Sequence, residues 1–99
     1  DNIALALCKA MISSQDDQSL TQPERKFVYM PLMHSEVLSD QELSIQVFDN
    51  IGDQYSLKFA VDHKVIIERF GRFPHRNTIL NRPSTDEELA FLKEPNSSF

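Results

Sequence analysis

The chain has no tryptophan, two glycines and a single cysteine among its 99 residues. Each shortage excludes something. One cysteine forbids an internal disulfide and cannot build a thiolate metal site. Cys8, set in the apolar run IALALC, reads as a small buried hydrophobe with a free thiol, which suits a reducing, cytoplasmic setting. Two glycines are too few for the many tight turns of a β-sandwich and fit long helices better. The longest apolar run, FVYMPLM from Phe27, falls far short of the roughly 20 residues that span a bilayer, so no membrane role is expected. Bases are scarce as well: 10 Lys and Arg stand against 15 Asp and Glu, for a formal net charge of −5. That balance excludes the broad basic face of a nucleic-acid binder.

What remains is the composition of an ordinary folded protein, 40% hydrophobic and 25% charged, in a chain long enough for one core and no more. A single helical domain over residues 1–99 is expected. An apolar-periodic segment begins by Ile3, directly after Asp1, so the sequence reads as the continuation of a longer product.

The apolar spacing is helical throughout. Residues 2–14 place Ile3, Leu7, Ala10 and Met11 on one face and Leu5, Cys8 and Ile12 on a second, which predicts a helix buried on more than one side. A surplus of that kind on the first helix also predicts an apolar patch around Ile3, Leu7 and Met11 that a second copy of the chain would cover, making a homo-oligomer. Thr21 with Glu24 forms a capping-box signature with Pro23 in the first turn, and predicts a helix over about 22–30. Pro31 should kink or end that helix within about one turn, since an interior proline removes a backbone donor and clashes with the preceding turn. Ser39 with Glu42 repeats the signature ahead of Leu43, Val47, Phe48 and Ile51, and Gly52 is the natural stop. A further helix carries Tyr55, Phe59, Ile66, Ile67 and Phe70 and ends at Gly71. Ser84 with Glu87 then caps a short helix bearing Leu89 and Leu92. No alternating strand pattern appears. The predicted fold class is all-α, four to five helices arranged as antiparallel helical hairpins.

Charge is placed unevenly. Residues 63–83 hold five bases and one acid, and within them lies RFGRFPHRN, from Arg69 to Asn77. Gly71 ends a helix and Pro74 stiffens the loop beyond it, so Phe70 and Phe73 can anchor that loop while the polar side chains project from it. Guanidinium groups fixed in this way suit bidentate recognition of carboxylate or phosphate. Arg72, His75, Arg76 and Asn77 are therefore candidate binding residues, with Arg69 assigned to structural pairing because it sits on the helix. His34 and Glu36, in MHSE just after the Pro31 break, are the other candidates and would face the same polar groove. The competing use of these arginines is to neutralise Glu36, Asp40 or Glu42 on neighbouring helices.

The expected function is a binding or scaffolding module taking an acidic peptide or small anion, with no cofactor. The alternative is a small hydrolase or isomerase with His34 and Glu36 as an acid/base pair and the arginines as an anion clamp. The spacing of His34, Glu36, His63 and His75 gives no close two-ligand pair on one helix, so no metal site is expected. Neither a strained nucleophile turn nor a glycine-rich phosphate loop is present, and no catalytic residue is assigned.

Taken together, ERKFVYMPLMHSE from Glu24, LSDQE from Leu38, RFGRFPHRN, RPSTDEE from Arg82 and the terminal SSF resemble a mainly bacterial family, domain of unknown function 924. The resemblance implies a tetratricopeptide-repeat-like array of stacked helical hairpins with a concave face. It implies no reaction. Members of that family are longer at the N-terminus, where a preceding helical segment carries its own Phe-Pro-Arg-Asn element, so the resemblance places this chain in the C-terminal part of the family domain.

Overall fold

The computed structural model describes residues 2–95, and the terminal SSF lies outside them. Among the described residues there are five α-helices and no strand: α1 (Asn2–Ser14), α2 (Gln22–Met33), α3 (Leu38–Ile51), α4 (Gln54–Phe70) and α5 (Asp86–Leu92), with 3-10 turns at Asp16–Ser19 and Pro74–Arg76. The fold is all-α, as the periodicity predicts. Consecutive helices pack on one another, α1 on α2, α2 on α3 and α3 on α4, in a body of 45 × 27 × 19 Å. No helix among them is long and apolar enough to cross a membrane.

The local signals behave as physical chemistry requires where they are self-contained. Thr21 accepts from the Glu24 N–H while the Glu24 carboxylate accepts from the Thr21 N–H, closing a capping box at the start of α2. Gly52 and Gly71 end α3 and α4 in the left-handed region, at φ 81° and 72°, where a Cβ is strained. Pro31 lies inside α2, which runs three residues past the predicted Met30 and ends at Met33, within a turn of the proline. The carbonyls freed at that end are taken up by Gln41, fully buried on α3, whose Nε2 donates to Met33 O at 2.7 Å and Ser35 O at 2.6 Å.

Two capping frames differ from expectation. α3 begins at Leu38 behind Val37, which puts Ser39 inside the helix and not at its cap. The start moves upstream because Ser35 organises the turn: its Oγ accepts from the Val37 N–H and donates to Asp40, and buried Asp40 also pairs with Lys9 at 2.6 Å. At α5 the capping box is Thr85 with Glu88, one residue on from Ser84 with Glu87. Ser84 instead accepts from the Asn77 side chain.

Two clusters form the core. The larger joins Cys8, Tyr29, Leu32, Met33, Val47, Phe48, Ile51 and Ala60 from α1 to α4; the smaller joins Ile66, Ile67 and Phe73, with Phe70 and Phe91 against them. Cys8 is the buried hydrophobe expected, and burial pushes its thiol up to about 11. Ile3 and Leu7, 73% and 61% exposed, form the uncovered apolar patch that the sequence predicts on α1, with Met11 beside them half-buried. Tyr55, counted in the apolar stripe of α4, also stands out in solvent.

Candidate functional site

Phe73 is the pivot of the basic segment. Completely buried at the end of α4, it is ringed by polar aromatics: His63 from α4 stands edge-on at 5.6 Å between centroids, His75 lies at 5.7 Å, and the Arg76 guanidinium sits 4.7 Å above the ring. His34, the C-cap of α2, meets His63 at 5.7 Å. One hydrophobic anchor thus draws His34, His63, His75 and Arg76 into a single neighbourhood, with the Arg76 charge held over a π face.

The carboxylate of that neighbourhood is already occupied. Glu36 receives Arg82 through both guanidinium ends, at 2.9 and 3.0 Å, and the Phe73 N–H at 2.6 Å. Burial works to raise the Glu36 pKa, but the Arg82 and Phe73 hydrogen bonds outweigh it and hold the carboxyl below its usual range. Glu36 therefore ties the α2–α3 turn to the 72–82 loop and is not positioned as a base for His34. The sequence assigns Arg82 no role; it stands there only in the basic island and at the head of RPSTDEE.

Arg72, expected to be free for a ligand, is paired with a buried acid. Its Nε and Nη2 grip Glu88 at 2.9 and 2.7 Å, and Nη2 also donates to Pro83 O. Glu88 is buried, and Arg72 beside it draws its pKa down to about 2. Asn77 is buried too, donating to Ser84 and accepting from Arg82, so it braces the loop from within. Arg69, assigned to pairing with an acid, instead lies against the Phe70 and Phe91 rings. Arg69 thus keeps a structural role, against rings in place of an acid, whereas Arg72 is paired because it follows the left-handed Gly71 and is turned toward α5.

Of the six candidates, His34, Glu36 and Arg76 line one cavity of about 370 Å³, together with Leu5, Pro31, Ser35 and Val37. His75, Arg72 and Asn77 do not line it; His75 packs on Phe73, and Arg72 and Asn77 belong to the loop framework. Among the described residues Arg76 makes no hydrogen bond or ion pair with an acid. His34 is held below its ordinary pKa by partial burial first and by the Arg76 charge second. His63 is pushed down to about 4, chiefly by burial, and its Nδ1 lies 2.6 Å from Phe59 O, the contact of a neutral ring donating to a carbonyl. The described residues contain no group of three or more His, Cys, Asp or Glu side chains that could hold a metal ion.

The comparisons with known proteins agree with one another. A solved structure of a protein of unknown function from Agrobacterium tumefaciens is similar to this chain at 36% sequence identity and a TM-score of 0.86. The alignment covers 93% of this chain and 52% of that one, so the chain spans about half the length of its structural relative. No curated protein matches. The sequence also matches the family described as bacterial protein of unknown function over residues 1–96, a span that does not bear out the expected restriction to the C-terminal part of the family domain. On that match the chain belongs to the domain of unknown function 924 family.

Proposed function

We propose that the chain is a helical binding module, part of a tetratricopeptide-repeat-like array, whose cavity between the end of α2 and the Pro74–Arg76 turn takes a small anion or the carboxylate of an acidic peptide. The observation that carries this reading is Arg76: a guanidinium at the cavity wall, fixed over Phe73 and without an acidic partner among the described residues. Arg82 takes both Glu36 oxygens by hydrogen bonds, so Glu36 acts on Arg76 through space only. His34 and Ser35, in the same wall, add hydrogen-bonding groups. The volume matches small-molecule sites at the lower end of their range. The commitment of Glu36 to Arg82 and Phe73 favours binding over an acid/base reaction at His34.

Thermal and chemical denaturation during titration with phosphate, and with an acidic peptide bearing a free or an amidated C-terminus, tests this reading. A ligand at 100 times its dissociation constant adds about 2.7 kcal/mol of stability. Arg76→Gln should abolish the gain while leaving the unliganded fold intact, and an unchanged gain in that variant would refute the assignment.

A further inference from the structure

The lining of the Arg76 cavity limits which anion it can take. Arg76 leaves the Pro74–Arg76 turn and stacks on the buried Phe73 ring, its guanidinium carbon 4.7 Å from the centroid. A guanidinium stacked on a ring keeps its N–H groups in its own plane, where a carboxylate can take two of them. Arg76 is the single arginine or lysine of the lining. His34, in the same wall, is held below its ordinary pKa by burial and then by the Arg76 charge, so its ring is uncharged at neutral pH and keeps one acceptor nitrogen.

The acid in the wall sets a ceiling on ligand charge. Glu36 has both oxygens on Arg82 and one of them also on the Phe73 N–H, yet its charge still acts through space on anything beside Arg76. A dianionic phosphate would meet one cation and one repelling carboxylate, with no second guanidinium in the lining to offset it. A carboxylate carries less charge and matches the guanidinium fork. The Ser35 hydroxyl gives its proton to Asp40, so toward the cavity it can only accept. Leu5, Pro31 and Val37 complete the lining, and Val37 is 55% exposed. A round cavity of 370 Å³ is about 9 Å across, which is room for one residue at the 3.8 Å step between Cα atoms. Cation, acceptors and apolar wall thus lie within reach of a single residue that carries a carboxylate, an N–H and an apolar side chain.

We propose that the cavity takes the C-terminal residue of a peptide whose last side chain is apolar. Its carboxylate accepts from Arg76, its amide N–H faces the acceptors of Ser35 and His34, and its side chain packs on Leu5, Pro31 and Val37. This inference rests on the Arg76 reading and narrows it from anions in general to one kind of chain terminus.

Isothermal titration of the intact chain with acetyl-Ala-Ala-Leu, its C-terminal amide, acetyl-Ala-Ala-Asp amide, 4-methylpentanoate and inorganic phosphate tests the assignment. The leucyl acid should bind with a dissociation constant of about 1 mM or tighter, and each of the others at least about tenfold more weakly. Arg76→Gln, checked for folding by circular dichroism, should bring the leucyl acid down to the level of its amide. Val37→Ser, at the residue preceding α3 where serine is a favourable cap, should weaken the leucyl acid by about threefold or more and leave the aspartyl amide unchanged. Equal or tighter binding of phosphate, the aspartyl amide or 4-methylpentanoate, lost in Arg76→Gln, would overturn this inference and leave the broader anion reading standing, as would a leucyl acid indifferent to Val37→Ser. Absence of heat with every probe at about 10 mM, or leucyl-acid binding unchanged in folded Arg76→Gln, would overturn both.

Discussion

The loop of residues 71–88 and the turn of residues 15–20 both bury charge, and they do so in opposite ways. At the loop two carboxylates each meet a guanidinium through two hydrogen bonds, Glu36 from the α2–α3 turn with Arg82 and Glu88 with Arg72, and further acceptors and donors go to Phe73 N–H, Pro83 O and Asn77. In the turn Asp17 is given a phenol and a carboxamide but no cation, and one oxygen is left over. Saturation marks framework, because a fully paired network has nothing further to gain from a ligand. A shortfall that faces solvent marks a place where a ligand can add what the chain does not supply; the spare Asp17 oxygen is shut off from solvent and is not such a place. The same contrast holds inside the loop, where Arg72 and Arg82 are each paired with a carboxylate and Arg76 is not.

The sharpest way to break the comparison is to remove a saturated partner. Arg72→Ala strips the buried Glu88 of its cation and should be the most destabilising of these changes, because it leaves an uncompensated buried charge. Urea denaturation reads this directly. Adding Glu88→Gln to Arg72→Ala should recover part of the loss, since the uncompensated charge is then gone. A cost below about 0.5 kcal/mol would place Arg72 with ordinary surface bases and dissolve the distinction from Arg76.

Acid sharpens it next. His63 has a folded-state pKa near 4 against an ordinary 6.5, so the unfolded chain binds more protons between those values. Its contribution is complete above pH 6.5 and is lost as pH falls toward 4, by about 3 kcal/mol in total. Glu88, lowered to about 2, contributes above its ordinary 4.5 and loses that contribution only as pH falls from there toward 2. The two windows barely overlap. Stability of His63→Gln should therefore be flatter between pH 6.5 and 4.5 than that of the natural chain, with the acid limb below 4.5 retained. Equal slopes in both proteins would show that another group governs the upper window.

Gln41→Leu should rank after these, at about 2 kcal/mol, because it strands the carbonyls of Met33 and Ser35 that close α2. Hydrogen exchange should localise the loss to the end of α2 and the adjoining turn.

The sequence is legible where a signal is complete within one turn of chain. Thr21 with Glu24, Gly52, Gly71 and Pro31 all act on their own backbone, and each does in the structure what its local chemistry requires. The site is less legible because its decisive pairings are remote. Glu36 and Arg82 are 46 residues apart, and Arg72 and Glu88 are 16 apart, so composition shows that the bases have acids to meet but not which. RFGRFPHRN therefore marks the right neighbourhood through Phe73, yet misassigns Arg72 and gives Arg69 an acid where it meets rings. Asp17 carries no mark for a related reason. An acid in a polar run reads as solvated, and only Tyr29, arriving from α2, takes it inside.

The smallest effects concern capping frames, where remote packing decides between local alternatives. STDEE offers Ser84 with Glu87 and Thr85 with Glu88, and the two are equivalent by capping chemistry alone. Glu88 wins because the frame that caps the helix with it also delivers it to Arg72. Ser39 fails as a cap because Asp40 and Gln41 must already lie inside α3 to reach Ser35, Lys9 and the end of α2. Thr85→Ala should then cost about 1 kcal/mol, as for a typical lost N-cap. Ser39→Ala should change stability by less than about 0.5 kcal/mol, as at an exposed helical position free of special contacts. Measured in one denaturation series, a reversed order would mean that α3 starts at Ser39 after all, and that the turn held by Ser35 is not the framework on which His34 and Glu36 are mounted.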